Sequence, residues 1–178
     1  MRKKPAVKLE EADLKEYALR LLAGRALTVA QLKEKLRRRA ADPGSVERIV
    51  LQLKEYGALD DRRFAESFSS ARAASGQFGR RRVLAELAKR KVAAKVAEQA
   101  VRQAFAGVNE DEQVRAWLER KYRNQDLAAL LAEPPKLAAA YRRLRHAGFS
   151  SGAAIRALRR FSENADQLEG LEPDSPAE

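Results

Sequence analysis

The side chains best placed by type and spacing to do chemistry are two adjacent carboxylates, Asp60 and Asp61. Paired acids serve general acid/base catalysis and bind divalent cations, so their surroundings decide what they do. They follow Gly57-Ala58-Leu59 and precede Arg62-Arg63-Phe64-Ala65-Glu66-Ser67-Phe68. Gly57 suits the left-handed residue that closes a helix. Asp60 or Asp61 suits the cap that opens the next one by accepting its free N–H groups. Neighbours at a helix start do not face each other, and no other carboxylate, His or Cys stands at ligand spacing. The stretch therefore predicts a helix junction, with Phe64 and Phe68 one turn apart as an aromatic anchor.

Other chemistry is largely excluded. The 178 residues include no cysteine and one histidine, His146, which removes thiolates, disulfides, Cys-based metal sites and His clusters. Glycine-rich phosphate loops, nucleophile elbows and zinc spacings are missing too, so the sequence predicts a protein that is not an enzyme and takes no cofactor or metal. No apolar run reaches the length of a membrane span. Met1-Arg2-Lys3-Lys4-Pro5 leads into a charged, helix-patterned segment, which predicts a cytoplasmic monomer without membrane contact.

What remains is positive charge. Lys and Arg number 36 against 25 acidic residues, a net of +11. Nothing after Arg160 is basic, whereas Glu163, Asp166, Glu169, Glu172, Asp174 and Glu178 are acidic, so the chain ahead of them is more basic than the total. Such a balance points to a polyanionic partner. The cations cluster as Arg37, Arg38 and Arg39; Arg80, Arg81 and Arg82; Lys89, Arg90 and Lys91; and Arg142, Arg143, Arg145, Arg156, Arg159 and Arg160. Cations at a helix C-terminus complement its dipole, and charge runs are commonly solvated faces. Arg80 to Arg82 open a helix instead, where each exposed cation opposes the dipole by roughly 0.3 to 1 kcal/mol with no evident folding gain. That cluster is the leading candidate for a binding role.

The elements that must carry these residues are helices, since Ala, Leu, Arg, Lys and Glu dominate and β-branched runs are almost absent. Leu14, Tyr17, Ala18, Leu21 and Leu22 mark a first helix that ends near Gly24. Thr28 with Gln31 is a capping box for a second, with Leu27 and Leu32 as staple. Asp42-Pro43 opens a third, which buries Val46, Ile49, Val50 and Leu53 and closes at Gly57. The pattern then recurs. A fourth helix starts at Asp60 or Asp61, a fifth runs from Gly79 through Val83, Leu84 and Leu87, and a sixth carries Val92, Val96, Ala100 and Val101. An offset that sets Thr28 over Gly79 also sets Leu32 over Val83 and Leu36 over Leu87.

A third copy begins with Asn109 and Glu112 as a capping pattern ahead of Val114, Trp117 and Leu118. Tyr141, Leu144 and Phe149 fall over Leu84, Leu87 and Val92 at a longer offset, which requires an insertion around Leu127, Leu130 and Leu131 before Pro134-Pro135 opens the next helix. Ser150 or Ser151 caps the last, with Ala154, Leu158 and Phe161 inside. The expected fold is all-α, an elongated, curved array of three tandem three-helix repeats. The divisions are a disordered basic arm over 1–10, repeats over 11–58, 59–107 and 108–161 with an insertion near 123–134, and a disordered acidic tail over 162–178.

Several of these stretches resemble one family. Glu55-Tyr56-Gly57-Ala58-Leu59-Asp60-Asp61-Arg62-Arg63-Phe64-Ala65-Glu66-Ser67-Phe68 is similar to the central motif of the RecX proteins, and Phe78-Gly79-Arg80-Arg81-Arg82-Val83-Leu84-Ala85-Glu86-Leu87 resembles the segment after it. Ala18-Leu19-Arg20-Leu21-Leu22 and His146-Ala147-Gly148-Phe149-Ser150 resemble the family in the same order, so the likeness runs from about Leu14 to Phe161. One departure is Ala40-Ala41, where the family has glycine followed by an aromatic or aliphatic residue, and the acidic tail is another. The resemblance implies a modulator of the RecA recombinase that lodges in the helical groove of the RecA filament on DNA. There it would oppose filament growth, ATP hydrolysis, strand exchange and RecA-assisted cleavage of the repressor of the DNA-damage response. Direct DNA binding would be weak and salt-dependent.

The alternative from composition is a stand-alone helical nucleic-acid binder, a helix-turn-helix regulator or an architectural protein. Against it, cations are spread over all three repeats, and no one helix carries the Asn, Gln and Arg mixture that reads base edges. Tyr56, Trp117, Tyr122 and Tyr141 have the chemistry to stack on bases, but residues at helical spacing are more often core; Trp117, in phase with Val114 and Leu118, reads as structural, and Tyr122 stays open between the two roles.

Overall fold

Ten α-helices and a final 3-10 helix follow one another through residues 8–168, the part of the chain described by the computed structural model. They are α1 (Glu11–Gly24), α2 (Val29–Arg37), α3 (Pro43–Glu55), α4 (Asp61–Ser75), α5 (Arg80–Lys89), α6 (Ala94–Ala104), α7 (Glu110–Lys121), α8 (Leu127–Ala132), α9 (Pro134–His146), α10 (Ser151–Leu158) and the 3-10 helix Glu163–Leu168. The fold is all-α. Among the described residues the one extended pairing is an isolated parallel bridge between Leu9 and Ala40.

Local chemistry sets the helix ends. Thr28 Oγ1 accepts from the Gln31 N–H and Gln31 Oε1 accepts from the Thr28 N–H, each at 3.2 Å, a reciprocal capping box. Asp42 caps α3 through the Gly44 N–H at 2.9 Å, with Pro43 at the first helical position. Gly57 has φ +66°, and the Ala58 N–H reaches Leu53 O at 2.9 Å, which closes α3 in a Schellman motif. Asp60 is the cap of α4, accepting from the Arg62 and Arg63 N–H groups at 2.8 and 3.1 Å. Asp61 does something else. Its Oδ1 accepts from the Val29 N–H at 2.8 Å and so caps the neighbouring helix α2. The two acids serve two helix starts.

The described residues divide into two compact units, 8–67 with 87–100 and 68–86 with 101–168. In the first, Leu14 and Ala18 of α1, Leu32 and Leu36 of α2, and Val46, Ile49, Val50 and Leu53 of α3 close around Leu27, Ala40 and Leu59. In the second, Val114 and Leu118 of α7, Leu131 of α8, Leu137, Ala140, Tyr141 and Leu144 of α9 and Ala153, Ala154 and Leu158 of α10 surround Phe149.

Burial recurs at two phases of the repeat read from the sequence: Leu32, Val83 and Ala140 are fully buried, as are Leu36, Leu87 and Leu144, while Leu84, set under Tyr141, is only half-buried. A polar contact recurs at the same phase. In the first unit the buried Thr28 Oγ1 donates to Arg90 O at 2.8 Å. In the second, the Gly79 N–H donates to Ala147 O at 2.8 Å and the Arg81 N–H to Gly148 O at 3.2 Å. The offset that sets Tyr141 over Leu84 also sets Ala147 over Arg90. Thus the opening residue of one repeat's second helix twice meets the closing turn of the next repeat's second helix, positive dipole end against negative. Gly79 and Gly148 permit this approach: a Cβ on Gly79 would sit 2.3 Å from Gly148 O, and one on Gly148 2.3 Å from Arg82 N.

Four expectations change. Leu9 belongs to no irregular arm: its N–H donates to Arg39 O at 2.7 Å and its carbonyl accepts from the Ala41 N–H at 2.9 Å. That pairing occupies the turn at Ala40-Ala41. Residues 1–7 lie outside the described part. At the other end the apolar pattern does not stop at Phe161, because Ala165 and Leu168 are buried in the second core. Only 169–178 of the acidic tail fall outside the described residues. In α4 the buried positions are Ala65, Ser69 and Ala73, while Phe64 and Phe68 are half-buried. Val92, assigned to the sixth helix, precedes α6 and is the residue that closes α5.

Candidate functional site

In the first unit the folding of α2 against the end of α5 gathers part of the predicted basic face. Lys33, Arg37 and Arg38 of α2 line an open cleft with Lys91, which follows α5, together with Ala30 and Glu34. Arg37 and Arg38 come from one sequence cluster and Lys91 from another, so tertiary structure joins them. Lys33 and Arg37 share Glu47 at 2.5 and 3.2 Å, and Arg38 pairs with Glu34. These pairs are exposed or partly so, and they orient the cations more than they stabilise the fold. Lys91 carries a further mark. Its φ is +58°, in the left-handed region where glycine is ordinarily found. The Lys91 N–H reaches Ala88 O at 2.8 Å and the Val92 N–H reaches Leu87 O at 3.2 Å, a Schellman closure built on a lysine. Gly148 occupies the same place in the third repeat with φ +91°. Lys89 is exposed on the last turn of α5, and the Arg39 guanidinium lies 5.1 Å from the Tyr17 ring centre.

The Arg80 to Arg82 cluster has folding partners that its sequence did not disclose. Arg80 Nη2 donates to Phe105 O at 2.9 Å, with the guanidinium 5.8 Å from the Phe105 ring centre, so it caps the end of α6. Arg82 pairs with Glu86 one turn on, at 3.2 Å. The dipole penalty that singled these residues out is met by the carbonyls of Ala147 and Gly148 facing the same helix start. Among the three, Arg81 has an exposed side chain with no partner among the described residues.

The C-terminal cations divide likewise. Arg145 Nη1 closes its own helix on Phe149 O at 2.7 Å, and its Nε is buried without a partner. Arg143 donates to the Tyr122 hydroxyl at 3.1 Å. Arg156 grips Asp111 with two bonds, at 3.0 and 2.7 Å, and these hold the Asp111 carboxyl below its ordinary pKa. Arg159 pairs with Asp166. Arg160 joins Arg115, Arg156 and Asp111 along a second small cleft, while Arg142 is half-buried on α9. Sequence reasoning passed over Lys33 and Arg115. Each lies one helical turn from a residue on the same cleft, Arg37 and Asp111, and that spacing was the available signal.

The aromatic candidates separate by burial. Tyr122 and Tyr141 are core residues, Tyr141 through a 2.6 Å contact with Ser151 Oγ. Trp117 is only partly buried and meets Phe149 edge-on at 6.4 Å. Tyr56 is 73% exposed, with the Lys15 ammonium 5.7 Å from its ring. Among the described residues no three His, Cys, Asp or Glu side chains converge as metal ligands, and no helix is long and apolar enough to cross a membrane.

Comparison with known proteins decides the family. The first three-helix domain of RecX matches residues 15–53 and the second matches residues 60–101. A protein of Thermobifida fusca named "Regulatory protein RecX" is 33% identical over 173 residues, covering 93% of this chain and 85% of its own. The chain belongs to the RecX family. Another regulatory protein RecX, from Halorhodospira halophila, is 41% identical over 109 residues, 61% of this chain and 66% of that protein. The crystal structure of RecX from Lactobacillus salivarius shares the fold, with a TM-score of 0.63 at 18% identity over 85% of this chain and 96% of that one. RecX relatives are thus regulatory proteins, and Gly57 to Leu59 of the α3–α4 junction lie between the two matched domains, the second of which opens at Asp60.

Proposed function

We propose that this RecX-family chain regulates the RecA recombinase by lodging in the helical groove of its filament on DNA. It restrains filament growth, ATP hydrolysis, strand exchange and co-protease action, and catalyses nothing itself. The observation that carries this reading is the pair of matched RecX domains, continuous from residue 15 to residue 101 apart from the junction. Supporting it, the α2 and Lys91 cleft and the exposed Arg81 offer cations to a surface that mixes protein with phosphate. The remaining predicted contacts are Arg39, Lys89 and Arg90 in the first unit and Arg142 and Arg160 in the second. Arg80, Arg82, Arg143, Arg145, Arg156 and Arg159 serve the fold first.

The test is RecA's DNA-dependent ATP hydrolysis with wild type, with Arg37→Ala, Arg38→Ala and Lys91→Ala combined, and with Arg81→Ala alone. Inhibition by wild type, weakened roughly ten-fold in the triple variant and two- to five-fold in the single one, is the expected result for groups contacting phosphate or carboxylate. Equal inhibition by all three would remove these residues from the site, and no inhibition by wild type would end the RecA reading.

A further inference from the structure

A second opening, in the unit formed by residues 68–86 and 101–168, has different chemistry. Trp117, Arg120 and Lys121 near the end of α7 line one open cleft together with Gln77 and Phe78 of the α4–α5 connection and Ala147. The two rings are held from behind. Trp117 is fixed edge-on against Phe149, with 75° between planes, and the Arg72 guanidinium lies 4.7 Å from the Phe78 ring centre. Both rings remain partly exposed, which core aromatics of this size do not need. Arg120 is committed to the fold, donating to Ser75 O and Gly76 O at 3.1 and 2.7 Å, and it ties the end of α7 to the end of α4. Lys121 and the Gln77 side-chain amide are exposed and have no partner among the described residues.

Rings, an amide and an ammonium match the three parts of a nucleotide: a flat base, an edge of donors and acceptors, and a phosphate. We propose that this cleft binds an unstacked nucleobase of single-stranded nucleic acid, with Trp117 and Phe78 as the stacking walls, Gln77 at the base edge and Lys121 on the adjoining phosphate. An aromatic side chain of a protein partner would use the same rings but would leave Lys121 unexplained, and the net charge of +11 favours a polyanion. Base stacking of this kind is tolerant of sequence, so the site takes any base. It is independent of the RecA reading, because it requires no recombinase.

Trp117 is the chain's single tryptophan, and its emission reports on the cleft directly. The full-length protein is titrated with a short thymidine strand, with an abasic strand of the same length, and with RecA in the absence of DNA. Expected are quenching of Trp117 by the thymidine strand, binding of the abasic strand weaker by roughly ten-fold or more, and a comparable loss for Phe78→Leu. Lys121→Ala should weaken both strands a few-fold and flatten the salt dependence. Equal affinity for thymidine and abasic strands would reduce the cleft to a phosphate contact and overturn the stacking site. A Trp117 response to RecA alone, with none to the thymidine strand, would make it a protein-docking surface instead. The abasic comparison uses wild type, so the outcome does not hang on whether a Phe78 variant folds.

Discussion

Lys91 concentrates the tension between folding and binding at one residue. A non-glycine residue in the left-handed region costs roughly 1 kcal/mol, and the equivalent position of the third repeat carries Gly148. Lys91→Gly should therefore raise stability by up to about 1 kcal/mol in urea unfolding while weakening inhibition of RecA, because the cleft loses a cation. If inhibition were unchanged, Lys91 would be a tolerated strain and no more. Gly79 is constrained in the opposite sense. A Cβ there would strike the backbone of Gly148, and nothing rigid can yield, so Gly79→Ala should lower stability by about 3 kcal/mol by the same measurement. The Asp111 and Arg156 pair gives a pH signature. The lowered folded-state pKa of Asp111 means that its contribution is complete above the unfolded carboxylate value of about 4 and is lost as pH falls through the folded value. Asp111→Asn should thus differ from wild type by a small constant amount from about pH 5 to 8, and the two acid-unfolding curves should converge as pH falls through the lowered folded value. Both groups are largely exposed, so added salt should shrink the difference.

Helix ends matter more here than helix middles. Thr28 caps α2 and also donates to Arg90 O, so Thr28→Val removes two buried polar contacts at nearly constant volume. A loss of about 2 kcal/mol is expected, split between capping and the buried bond. Faster amide exchange at the ends of both α2 and α5 in the variant would support the shared role, and a change at α2 alone would limit Thr28 to capping. The last element behaves likewise. Truncation after Leu168 keeps Ala165 and Leu168 in the second core, whereas truncation after Phe161 removes them and should cost roughly 2 to 4 kcal/mol. Equal stability of the two truncated chains would show that the 3-10 helix adds nothing to that core.

At the scale of the whole molecule, charge distribution is the main lever. The described cations fall into those that tie helices together and those that do not, and the second kind is reached by a partner without unfolding anything. Inhibition of RecA should accordingly fall as salt rises, with a slope that diminishes when Arg37, Arg38 and Lys91 are replaced. Truncation after Leu168 removes Glu169, Glu172, Asp174 and Glu178, so it should strengthen binding at low salt and make little difference at high salt. A purified chain that hydrolysed ATP without RecA would contradict a purely regulatory role.

The helices, their caps and their repeat phase were legible in the sequence because they are local. Thr28 with Gln31, Asp42 with Pro43, and Gly57 act within one turn, and the spacing of Leu32 and Leu36 fixes which face is buried whatever lies opposite. The resemblance to RecX was legible for the same reason, since it rests on contiguous stretches. What only the tertiary structure decided is which charges remain available. Arg80 looked unpaid for in its own helix because Phe105 is remote in sequence, and Asp61 looked like a cap for α4 because Val29 is remote too. The close approach of Gly79 to Gly148, the burial of Ala65, Ser69 and Ala73, and the meeting of Lys91 with Arg37 and Arg38 depend on distances across the chain that no spacing encodes. Periodicity says which way a side chain points, and only packing says what it meets.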